Sequence, residues 1–183
     1  MLRAAAPQVG RQEPGRARFR PLEISAGGAP FLPVGAASDY FKVGLSSTLG
    51  GVYRFDLGLL VLGLGLEVGS SLFEAVGLSG SAGTILAPIG ALLSCSLSYG
   101  TPLEVAARVS GGAALLSMAP SGVEKRLSKL LPYASGGICL SLAFGPALGM
   151  LVDTRFVAYF EQTQGGLSPL LGVTPTVCLY LRV

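Results

Sequence analysis

Residues 148–162 read LGMLVDTRFVAYFEQ, an apolar run with an acid and a base, Asp153 and Arg155, in its middle. Split with period two, one face carries Leu148, Met150, Val152, Thr154, Phe156, Ala158 and Phe160. The other carries Gly149, Leu151, Asp153, Arg155, Val157 and Tyr159. Both charges fall on one side, as in a β-strand with one face in an apolar medium and the other turned to a polar interior. On a helix the two would stand about 200° apart, at about 100° per residue, and one would face hydrocarbon.

Composition points the same way. Half of the 183 residues are apolar and only 13% are charged, against roughly 25% for soluble domains. Glycine numbers 27, about twice its usual share of roughly 7%, with no Gly-X-Y period. The net charge of +3 is spread out, with no long basic run of the kind nucleic acid requires. There is no histidine, which removes the Ser-His-Asp triad and histidine-ligated metals. Cys95, Cys139 and Cys178 stand far apart and form no CxxC, so they read as packed small side chains, with no cofactor expected.

Short linkers at 54–56, 99–102 and 145–147 alternate with longer ones near 29–39, 74–83, 118–130 and 161–169. Transmembrane β-barrels distribute their connections in this way. An echo at an offset of about 45 residues, LLSCSLSYGTPL (92–103) against GICLSLAFGPAL (137–148), suggests a repeated two-strand unit. Eight strands are predicted, at 19–28, 40–54, 57–73, 84–98, 103–117, 131–144, 148–160 and 170–182, each long enough to cross a bilayer at a tilt. The basic, Arg- and Pro-rich residues 1–18 lack the apolar core of a signal peptide. They are expected to be a disordered leader or a mis-assigned start, outside the fold at 19–183.

A lipid-facing Lys or Arg near the midplane costs about 2–4 kcal/mol, so strand charges should all share the interior phase. They do. Glu23 opposes Leu22 and Ile24; Lys42 and Arg54 lie with Gly44, Ser46 and Thr48; Glu67 lies with Gly63, Gly65 and Gly69, opposite Leu62, Leu64 and Leu66. Glu104 and Arg108 oppose Leu103, Val105 and Val109, and Arg182 opposes Leu179 and Leu181. The expected interior set is therefore Glu23, Glu67, Glu104 and Asp153 with Lys42, Arg54, Arg108, Arg155 and Arg182, near neutral, with inward glycines leaving room for long charged side chains. Tyr40, Phe41, Tyr53, Phe55, Tyr99, Tyr133, Phe144, Tyr159 and Phe160, near strand ends, suit interfacial girdles.

With these features the sequence resembles the small eight-stranded bacterial outer-membrane barrels of the outer membrane protein W and opacity-protein type, including spirochaetal versions. GLSSTLGGVYRF with LGLLVLGLGLEVG is similar to the second and third strands of that type, and TPTVCLYLRV to its closing strand. The resemblance implies an all-β, antiparallel up-and-down barrel in the bacterial outer membrane, inserted by the barrel-insertion machinery and surrounded by outer-membrane lipid. Val183 departs from the aromatic residue that usually ends such chains. The roles implied are envelope structure or narrow passage of small apolar molecules. The alternative is adhesion to host surface ligands through the loops, where Lys125, Arg126 and Lys129 carry the densest charge.

Three other readings compete. DLGLLVLGLGLEVGSSLF and TILAPIGALLSCSLSY pass as short helical spans, which would make a polytopic α-helical protein. A soluble β-sandwich or lipocalin-like barrel would need a polar exterior that the composition denies. An enzyme is not expected: GLGLEVG falls one residue off GxGxxG without a βαβ context, and no nucleophile is paired with a base.

Overall fold

The computed structural model describes residues 20–77, 80–98, 102–120, 127–163 and 166–183. Eight strands run β1 (Leu22–Pro33), β2 (Gly44–Asp56), β3 (Leu60–Gly77), β4 (Gly80–Ser98), β5 (Leu103–Pro120), β6 (Leu127–Ala143), β7 (Leu148–Thr163) and β8 (Gly166–Arg182), with a 3₁₀ turn at Gly35–Asp39. Each pairs antiparallel with its sequence neighbour, and β8 pairs with β1 to close a barrel. Among the described residues no helix is long and apolar enough to cross a membrane, so the helical-bundle alternative falls.

Following the register once around, from Leu22 through Tyr53, Leu64, Leu93, Val109, Gly136, Phe156 and Val173, returns to β1 at Leu32, ten residues further on. With eight strands this stagger sets a tilt of about 41° and an interior just wide enough to be filled by side chains. At the seam, Leu22 and Val183 exchange backbone hydrogen bonds of 3.3 and 2.8 Å.

The alternation read from the sequence holds in every strand. Leu62, Leu64, Leu66, Val105, Val109, Ile138, Leu140, Val152, Phe156, Val177 and Leu179 are exposed on the outer face. Glu23, Arg54, Glu67, Arg108, Asp153 and Arg155 are buried inside.

Several boundaries move. The first short linker belongs to β2 through Asp56, and the turn falls at 57–59, where Gly58 has φ +91° and donates its N–H to the Asp56 carboxylate at 2.9 Å. Only a residue without Cβ enters that backbone region cheaply. The longer linkers are largely strand: β3 and β4 pair out to Gly77↔Gly80, and β7 and β8 out to Thr163↔Gly166. These tips are rich in Gly, Ser, Ala and Gln, so the period-two contrast that marks a half-buried strand disappears there. The leader at 1–18 and the linker at 99–101 lie outside the described residues.

Candidate functional site: the barrel interior

The lumen is layered. At the short-turn end, Glu23 takes Arg108 Nη2 at 2.9 Å and Arg182 Nε at 2.9 Å, with Arg54 Nε at 3.9 Å. Glu104, from the opposite wall, takes Arg54 at 3.0 Å and Arg182 at 2.7 Å, and Arg182 reaches both of its carboxylate oxygens. The Arg182 guanidinium also stacks 4.5 Å from the centre of the Tyr180 ring. Five side chains from four strands thus tie the walls together across the bore. Such bidentate, charge-assisted bonds are the strong kind in a low-dielectric interior.

Above this layer Arg155 bridges two carboxylates, Asp153 beside it and Glu67 across the lumen. Glu67 also accepts from the Ser110 hydroxyl and from Tyr133 at 3.4 Å, and Ser110 bonds Ser135 at 2.6 Å. This answers why an acid and a base sit inside LGMLVDTRFVAYFEQ: they are two thirds of a buried triad whose third member comes from β3. Among the described residues three buried polar atoms, Arg108 Nε, Asp153 Oδ1 and Tyr180 Oη, have no hydrogen-bond partner.

Toward the loop end the interior turns apolar. Phe31, Phe73, Leu86, Ala114, Leu116, Leu131, Tyr133, Val157 and Tyr159 form one buried cluster, with Phe41, Met118 and Leu170 against it. Phe31 and Phe73 stack with centroids 5.1 Å apart, and Phe41 meets Phe73 edge-on at 5.1 Å. Phe31 lies against Gly172, where any Cβ would collide with its ring. A cluster of Cys139, Leu151, Cys178 and Tyr180 fills the space nearer the inner end.

Of the nine expected interior charges, eight converge in these two networks and one does not. Lys42 lies before β2, its side chain 61% exposed, and pairs with Glu74 at 2.8 Å. It has the interior parity, but the strand starts two residues later, at Gly44, so parity no longer fixes its direction. Without it the described lumen holds four acids and four arginines, a balanced set. Tyr133 and Tyr159 are also corrected: both are buried in the lumen and not in a girdle. Their odd numbering on β6 and β7 matches Cys139 and Asp153, a signal available in the sequence. Tyr53, Phe55 and Phe144 do face outward near the short turns. Tyr99, Lys125 and Arg126 lie outside the described residues, and Lys129 is half exposed and paired with Glu161 at 2.9 Å.

Layered, filled and apolar outside, the molecule has one reading. It has the fold of the small bacterial outer-membrane barrels. No protein-family model matches the sequence. A comparison with curated proteins likewise finds no match. Solved structures do match. Neisserial surface protein A is 14% identical, with 88% of this chain and 97% of that one covered at a TM-score of 0.61. A major outer membrane protein from Thermus thermophilus is 15% identical, with 88% and 99% covered at 0.54. Ail, the attachment invasion locus protein of Yersinia pestis, solved in complex with the heparin analogue sucrose octasulfate, is 10% identical, with 90% and 99% covered at 0.50. At such identities the likeness is one of fold.

Proposed function

We propose that this chain resides in a bacterial outer membrane as a closed barrel that contributes envelope structure and does not conduct solutes. One observation carries the reading: the lumen is obstructed twice, by the Glu23, Arg54, Glu104 and Arg182 network at one end and the Phe31, Phe73 and Leu86 cluster at the other. An apolar solute crossing the bore would meet the charged layer, and a polar one the apolar layer. Either encounter strips favourable interactions without replacing them.

Adhesion through the loop end is the weaker alternative, because the described lysines there, Lys42 and Lys129, are already neutralised by Glu74 and Glu161. The test is reconstitution of refolded, heat-modifiable protein into planar bilayers, alongside cell fractionation against outer-membrane markers. Electrically silent bilayers and co-fractionation support the reading. Reproducible conductance steps overturn it.

A further inference from the structure

Between the ionic triad and the apolar cluster lies a belt of hydroxyls around a cavity of about 60 Å³. Its wall includes Glu67, Thr48, Ser71 and Thr174 from the lumen side, but also Ser47 and Ser70, which have the outward phase of β2 and β3. Ser46 and Ser71 bond across the strand pair at 2.7 Å on the inside, and Ser47 and Ser70 at 2.9 Å on the outside. Polar groups thus continue through the wall.

The wall is also incomplete at this height. The β3–β4 pairing passes from Val68↔Ile89 to Ser71↔Leu86, skipping the two steps where Gly69 would face Pro88 and Ser70 would face Ala87. Proline has no N–H to give to a ladder and is normally confined to edges and bulges. Each serine pair uses one of its two hydroxyl protons and leaves the other without an acceptor in the pair, and such a donor beside a gap in the ladder is expensive in hydrocarbon unless something polar satisfies it.

We propose that this opening binds the head group of a neutral, hydroxyl-bearing single-chain amphiphile, such as a monoacylglycerol, drawn from the surrounding bilayer. The cavity has room for a handful of waters or one small polar head. Thr48 and Thr174 present hydroxyls with no hydrogen-bond partner among the described residues, able to donate or accept. The chain would lie outside along Val68, Leu72, Ile85 and Ile89, all exposed apolar side chains flanking the gap.

Charge selects the neutral head. Glu67 faces the cavity, and the Arg155 guanidinium is already shared between Glu67 and Asp153. A carboxylate entering there would meet a like charge, with no unpaired cation among the described residues that line the cavity.

The test uses the refolded full chain in phosphatidylcholine nanodiscs with a monoacylglycerol carrying a photoreactive group in its acyl chain. Saturable labelling is expected on peptides containing Val68–Leu72 and Ile85–Ile89, about five- to tenfold weaker in T48V/T174V, which removes two hydrogen-bonding hydroxyls while keeping side-chain volume. Oleate should compete at least about fivefold more weakly than unlabelled monoolein, as the like-charge encounter with Glu67 requires. Should T48V/T174V fail to give the heat-modifiable form, Pro88→Ala is the second variant: it restores the missing N–H, closes the ladder and should lower labelling as strongly. Labelling spread evenly around the barrel, labelling unchanged in the variant that folds, or equal competition by oleate overturns the proposal. Each of these readouts is independent of whether the bore conducts.

Discussion

Replacing Arg155 with Met keeps the bulk of the side chain and removes the guanidinium that Asp153 and Glu67 share. The two carboxylates do not suffer equally. Glu67 retains donors in Ser110 and Tyr133, whereas Asp153 is fully buried, its Oδ1 already lacks a partner, and its Oδ2 accepts from Arg155. Breaking a buried pair by removing one partner costs about 3–5 kcal/mol, and the fully orphaned Asp153 puts this site at the upper end. Asp153→Asn in the Arg155→Met background removes the uncompensated charge and should recover about 1–3 kcal/mol. Alone, Asp153→Asn should destabilise by less than Arg155→Met, because it leaves the Glu67 pair intact.

The assay is urea unfolding in lipid vesicles followed by far-ultraviolet circular dichroism, since the chain has no tryptophan to report by fluorescence. A loss below about 1 kcal/mol for Arg155→Met, the value of a solvated surface pair, would refute the buried triad. Failure of Asp153→Asn to rescue would show that the penalty arises from lost packing and not from a stranded charge.

Three further outcomes follow from the same geometry. Leu66→Arg, on the outward phase, should cost about 2–4 kcal/mol in vesicles, while Lys42→Ala should change stability by less than about 1 kcal/mol; equal effects would contradict the assigned faces. Phe31→Ala removes a ring stacked on Phe73 and seated over Gly172, and should cost about 3–5 kcal/mol, read as an earlier midpoint in the heat-modifiability gel. In vesicles Cys95, exposed on the outer face, should react with a lipid-soluble maleimide, whereas Cys139 and Cys178 should react only after unfolding; peptide mapping of the adducts decides.

The phase of each strand was legible because bulky aliphatic side chains mark the lipid face, and a strand shows its two faces in strict alternation. Eight of the nine interior charges followed from that. Their partners did not. Arg155 and Glu67 are 88 residues apart, and Arg54 and Glu104 are 50. Which charge meets which depends on stagger around the whole barrel, which no local pattern encodes. The apolar loop-end cluster is not legible for a different reason. Charge marks the interior face only where charges occur, although Phe73 shares the phase of Glu67, and Leu86 that of Ser94 and Ser96. Strand tips beyond the apolar belt read as linkers because, with both faces small or polar, alternation carries no contrast.

The closing offset from Leu22 to Leu32 is an even number, and this governs how such a chain can change length over evolution. Only an even offset lets inward residues remain inward after a full circuit. Inserting or deleting one residue within a strand turns every side chain beyond it inside out, placing arginines in lipid and leucines among carboxylates. Wall segments should therefore drift between related sequences by two residues at a time. The connection at 34–43, outside that parity, is where length can vary one residue at a time.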